Sequence, residues 1–146
     1  MIILSNFVER FEELKFDAQL SIATLSEKLR VSKATVYRYA QGKLLPSLKV
    51  AVQLANIFNC SVDYLLGVRN ANDITSFKVC PPFCEQFQFL LKHYDISIYQ
   101  LARKAEMNES TLFFWKWGTH EPTLDNIEKL ARFFDCSMDF ILGREK

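Results

Sequence analysis

The chain repeats itself. Shifted by 76 positions, the sequence aligns with itself without a gap, Phe7, Phe11 and Leu14 falling on Phe83, Phe87 and Leu90. Ser21-Ile22 and Leu25 fall on Ser97-Ile98 and Leu101, and Thr35, Gly42, Pro46 and Leu48 on Thr111, Gly118, Pro122 and Leu124. Leu54-Ala55, Phe58, Cys60-Ser61, Asp63 and Leu66-Gly67 find their counterparts in Leu130-Ala131, Phe134, Cys136-Ser137, Asp139 and Leu142-Gly143. The chain is therefore two copies of one domain of about 65 residues, each able to bury only a modest core. The copies are expected over residues 1–69 and 82–146. Between them a linker over 70–81 carries Asn70-Ala71-Asn72-Asp73, read as a turn, and Pro81, which with Pro82 stiffens the approach to the next helix.

Each copy reads as five short helices, with no sheet, because its apolar residues recur at helical spacing and do not alternate. The first copy predicts helices over 6–18, 22–29, 33–41, 47–58 and 62–66. The second predicts them over 82–94, 98–105, 109–117, 123–134 and 138–142. Ser32, Ser47 and Ser61, and then Asn108, Thr123 and Ser137, stand where a side-chain oxygen can cap the first free N–H groups of a helix. Leu25, Val36, Leu54, Phe58 and Leu66, with their second-copy partners, are the expected core.

The stretch from Leu25 to Leu48 gives the fold its point. One short helix ends near Leu29, Arg30–Val31 make a tight connection, and Ser32 opens a second helix that Gly42 closes. Two short helices across a tight turn form a helix-turn-helix, whose second helix can lie in the major groove of DNA. Leu25, Leu29, Val31-Ser32, Thr35-Val36, Gly42-Lys43, Pro46-Ser47-Leu48, Leu54-Ala55 and the closing Cys60-Ser61-Val62-Asp63-Tyr64-Leu65-Leu66-Gly67 resemble the Cro/repressor-type, or XRE-like, helix-turn-helix family. The order of these residues over some sixty positions carries the resemblance; no single one does. It implies two tandem five-helix lambda-repressor-like domains in an all-α chain.

The resemblance also implies a site. Carried over by position, Lys33, Ala34, Tyr37 and Arg38 would reach base edges, with lysine and arginine suited to guanine O6 and N7 and Ala34 to a thymine methyl. Lys28, Ser32, Thr35, Lys43 and Ser47 complete the expected DNA-binding set, Lys43 and the Ser47 helix end holding the phosphate backbone. Where the family has a phosphate-touching Gln, this chain has Ile22 and Ile98. Where the family's turn often has Gly, it has Arg30 and Glu106, longer side chains that the turn tolerates, at some conformational cost, if they adopt positive φ.

Charge separates the copies, although the net charge of +1 is uninformative. Between Glu27 and Lys49 stand Lys28, Arg30, Lys33, Arg38, Lys43 and Lys49 against one acid, the kind of cluster that neutralises phosphates. The matching window of the second copy has Arg103, Lys104 and Lys116 against Glu106, Glu109, Glu121 and Asp125. At the base-reading positions it has Glu109, Ser110, Phe113 and Phe114, with Trp117 a turn later. Phe113, Phe114 and Trp117 are read as an interface, since exposed aromatic patches mark protein contacts. The alternative is that a slightly rotated helix takes these rings into the core.

Other chemistry finds little footing. Cys80 and Cys84 are four apart with no second ligand pair for zinc, so no metal site is expected. Cys60 and Cys136 read as small core residues. His93 and His120 have no nucleophile at a suggestive spacing, and four glycines form no phosphate loop. The expectation is a non-enzyme without a cofactor. No apolar run of about 18 residues appears, and the N-terminal Met-Ile-Ile-Leu-Ser is too short for a signal peptide. A cytoplasmic chain with reduced thiols follows as an expectation. The leading function is a sequence-specific DNA-binding transcriptional regulator of repressor type, reading double-stranded DNA with helix 33–41; the family resemblance alone implies bacterial or phage origin. It would act as a homodimer or through association of its second copy. The alternative is an antitoxin-like or adaptor module that holds partner proteins on its aromatic face.

Overall fold

A computed structural model describes residues 2–72 and 76–145. The chain divides into two compact units, residues 1–75 and 76–146. The first holds α1 (Leu4–Asp17), α2 (Ile22–Leu29), α3 (Lys33–Ala40), α4 (Leu48–Phe58) and α5 (Val62–Leu65). The second holds α6 (Phe83–His93), α7 (Ile98–Lys104), α8 (Glu109–Trp117), α9 (Leu124–Phe134) and α10 (Met138–Leu142). Among the described residues there is no strand; a single isolated bridge pairs Phe77 with Glu145.

Short helices need defined ends, and the serines, threonine and asparagine supply them. Ser21, Ser32, Ser47 and Ser61 each accept a hydrogen bond from the backbone N–H three residues on. Ser97, Asn108, Thr123 and Ser137 do the same in the second unit. Ser97 adds a reciprocal bond, Gln100 accepting from its backbone N–H at 2.9 Å. Gly42 follows α3 at φ 71°, ending it as expected.

In the first unit α2 packs on α3 and α4, and α1 on α3 and α5. Phe7, Phe11, Leu25, Val36, Leu54 and Leu66 are fully buried between them. Phe58 departs from expectation: it is only half-buried, its ring edge-on to that of Phe11 with centroids 6.3 Å apart. At the last position of α4 it covers the core and does not enter it. Its counterpart Phe134 is likewise half-buried, stacked on Tyr94 at 4.1 Å. Cys60 is core, whereas Cys136 is half-buried.

The closing Leu-Gly of each copy has a physical cause. Gly67 and Gly143 sit at φ 73° and 76°. A Cβ on Gly67 would lie 2.8 Å from Asn6 Cβ, and one on Gly143 would lie 2.7 Å from Gln86 Oε1 and 2.8 Å from Pro81 Cδ. Both the backbone angle and the close approach of the first helix demand glycine.

Each first helix then clamps its own C-terminal segment. Arg10 lies over the Tyr64 ring at 3.7 Å and donates to the Tyr64 and Arg69 carbonyls. At the repeat position Gln86 donates to the Phe140 carbonyl at 3.1 Å. The second unit adds a buried ion pair, Arg144 Nη1 to Asp139 Oδ1 at 2.7 Å, with the guanidinium 4.0 Å from the Phe77 ring. Lys78 N–H donates to the Arg144 carbonyl at 2.9 Å. Phe77 and Lys78, within the stretch read as a linker, are thus bound into the second unit, and Asn70 accepts from Arg10 in the first. Asp73 of the expected turn lies outside the described residues. No helix is long and apolar enough to cross a membrane among the described residues.

Candidate nucleic-acid interface

The first unit's helix-turn-helix is held from beneath. Leu25 and Leu29 of α2 and Val36 of α3 face the core. Between the helices Arg30 adopts φ 57°, ψ 41°, and its N–H and that of Val31 donate to the Glu27 and Ser26 carbonyls. This is the left-handed turn that the sequence requires without glycine. It releases α3 with Ser32 as its cap.

With Val36 and Tyr39 inward, the other side of α3 is determined by helical geometry. Lys33, Ala34, Tyr37 and Arg38 are all exposed, at positions i, i+1, i+4 and i+5 of one face. Tyr37 is 51% exposed, whereas Tyr39 is 3% exposed and burial raises its phenol pKa. Tyr37 is therefore the ring available to a ligand and Tyr39 an anchor. Ser32 and Thr35 serve the helix itself: the Ser32 hydroxyl accepts from Thr35 N–H at 3.1 Å and lies 2.9 Å from the Thr35 hydroxyl. Ser47, similarly, caps α4 by accepting from Val50 N–H at 3.3 Å. Lys28 and Lys43 are exposed.

Arg30, Gln41 and Lys49 lie outside the set carried over by position, yet all three are exposed on or beside these helices. Arg30 and Lys49 were legible as charge, and Gln41 only as the residue closing the outward face of α3. Among the described residues, none of Lys28, Arg30, Lys33, Arg38, Lys43 and Lys49 is in an ion pair within 4 Å. Among the described residues, these six cations thus have no carboxylate within ion-pair distance.

The second unit repeats the backbone device. Glu106 takes φ 53° between α7 and α8, Met107 N–H donates to the Ala102 carbonyl at 2.9 Å, and Asn108 caps α8. Comparison with known proteins agrees with both geometries. Residues 13–65 match a family model described as helix-turn-helix, and residues 88–146 one described as Cro/C1-type HTH DNA-binding domain. The chain carries two tandem Cro/C1-like helix-turn-helix domains.

Two curated relatives are similar over part of the chain. The "Uncharacterized HTH-type transcriptional regulator YobD" of Bacillus subtilis is 33% identical over 61 residues, 42% of this chain and 54% of the relative. The "Putative HTH-type transcriptional regulatory protein PAE1627" of Pyrobaculum aerophilum is 40% identical over 50 residues, 34% of this chain and 20% of the relative. The similarity thus spans about half the length of one relative and a fifth of the other. No solved structure matches the chain at a significant level.

The two helix-turn-helix domains share a backbone and differ in what they present. In the second, Trp115 occupies the inward place of Tyr39; it is 1% exposed, edge-on to Phe83 at 6.0 Å and Phe87 at 5.6 Å. With Trp115 in the core, Phe114 and Trp117 of α8 face outward. Trp117 is 65% and Phe114 37% exposed, with Phe113 half-buried. Tyr99 of α7 and His120 join them. Centroids run 5.8 Å from Tyr99 to Phe113, 5.5 Å to Trp117, 6.4 Å from Trp117 to Phe114 and 4.9 Å to His120. Tyr99 and His120 extend the patch beyond the three rings expected from the sequence. They escaped notice because neither lies on α8, and only the fold brings them to it. Glu106, Glu109, Glu121 and Asp125 are all exposed around this domain's hairpin. Among the described residues no cluster of three or more His, Cys, Asp or Glu could hold a metal.

Proposed function

We propose that the protein is a sequence-specific DNA-binding transcriptional regulator in which the first helix-turn-helix domain reads the major groove. The observation that carries this reading is the outward face of α3: Lys33, Ala34, Tyr37 and Arg38 exposed together, beside further exposed cations at Lys28, Arg30, Lys43 and Lys49. Lys33 and Arg38 donate to guanine, Ala34 packs on thymine and Tyr37 contacts base or phosphate. Lys28, Arg30, Lys43 and Lys49 hold the backbone, with the Ser47 end of α4 offering N–H groups. Ser32 and Thr35 first fix the start of α3 and then present their remaining hydroxyl capacity to phosphate. Repression by occupancy follows, since a domain seated in a promoter excludes polymerase. A bacterial or phage cytoplasm, whose reducing conditions suit four cysteines that form no disulfide, is the proposed setting.

The test is duplex binding measured against salt. Four cations on the phosphate backbone imply a loss of about a hundredfold in affinity between 50 and 200 mM salt. A flat salt response would overturn the reading. A protein-interaction module is the second reading, favoured by the exposed rings of Phe114 and Trp117. That contact would be insensitive to salt and would show a negative heat-capacity change.

A further inference from the structure

We infer that the aromatic face of α8 is a two-fold interface with the same face of a second copy of this chain. The inference rests on the reading of the first domain as the DNA reader, which leaves the second free for association. Repeat-equivalent positions show that the fold does not require this patch. Tyr99, Phe114 and Trp117 stand where the first domain has Ala23, Arg38 and Gln41.

Area and charge identify the occupant. A large aromatic side chain offers about 150–250 Å², so these partly exposed rings present on the order of 400 Å² per copy. Doubled across an axis, that makes roughly 800 Å², the apolar centre of a standard interface of about 1,200–2,000 Å². The flanking charges are self-complementary. Glu109 opens α8, Lys116 stands near its end, and both are exposed. Two antiparallel α8 helices set Glu109 of one copy beside Lys116 of the other, twice, around Phe113, Phe114 and Trp117. The matching positions of α3 are Lys33 and Ala40, which offer no such pairing. Duplex DNA would meet the Glu109 carboxylate at the same place, and is repelled.

Sedimentation of the full chain, with single substitutions Trp117→Gln, Glu109→Lys and Lys116→Glu and the double swap Glu109→Lys/Lys116→Glu, tests this. Wild type is expected to dimerise. Trp117→Gln should weaken the dimer about 30-fold, the equivalent of a 2 kcal/mol hot spot, with an unchanged circular-dichroism melt. Each single charge reversal should weaken it and the double swap restore it. A monomeric wild type at about 100 μM, a dimer indifferent to Trp117→Gln, or no rescue by the double swap overturns the proposal. So does loss of the dimer in Lys33→Ala/Arg38→Ala, which would make the basic face the occupant. Binding of each variant to a duplex long enough for one domain only is measured in parallel. It should not change in the α8 variants, so failure of the interface and failure of DNA reading are told apart.

Discussion

Arg30 holds a left-handed conformation that most residues avoid, at a cost of about 1–2 kcal/mol. Arg30→Gly relieves that strain but loses about 0.5–1 kcal/mol to the greater freedom of the unfolded chain. Its melting midpoint should therefore move little, while the salt slope of DNA binding falls by about one phosphate contact. A large loss of stability would mean that the side chain supports the turn. Asp139 is a different case. Its pair with Arg144 is buried on both sides, so Asp139→Ala leaves a guanidinium in the interior and should cost about 3–5 kcal/mol in urea unfolding. Tyr94 carries a pH dependence. Burial, then its bond to Cys136, raises its phenol to about 12 from an ordinary 10.0. The fold thus holds the neutral phenol; this stabilisation is complete below pH 10 and is lost as pH rises towards 12. Thermal melts over that range should fall in the wild type and fall less in Tyr94→Phe.

Helix ends were the most legible elements. An N-cap is a local bargain between one side chain and the three residues after it, so Ser32, Ser47, Ser61, Asn108, Thr123 and Ser137 could be read without tertiary information, and all six make the bond. Ser32→Ala should cost about 1 kcal/mol. It should also weaken DNA binding by loosening the start of α3, measurable as a lower melting midpoint together with reduced duplex affinity. Burial was less legible where an element ends. Phe58 and Phe134 have the spacing of core residues, yet as the last residues of α4 and α9 they cover the core edge. The inward register of α8 was not decidable either, because its hydrophobic residues surround it. Only the packing of Trp115 against Phe83 and Phe87 selects one side. The patch of Tyr99 and His120 needed the tertiary fold for the same reason: three separate segments contribute to it.

At the scale of the molecule, duplication supplies two backbones and divergence gives them different surfaces. The same left-handed turn releases α3 as a cationic face and α8 as an aromatic and acidic one. That division was visible in the sequence as charge, because the lysines and arginines of both hairpins lie at the surface, where such residues are mostly found. The most direct test of this division is selection of binding sites from a random duplex pool, with wild type and with Lys33→Ala/Arg38→Ala. Wild type is expected to enrich a motif with two symmetric half-sites, and the double variant, still folded, to lose it. Enrichment of the same motif by the double variant, or of no motif by wild type at low salt, would contradict the assignment of DNA reading to α3.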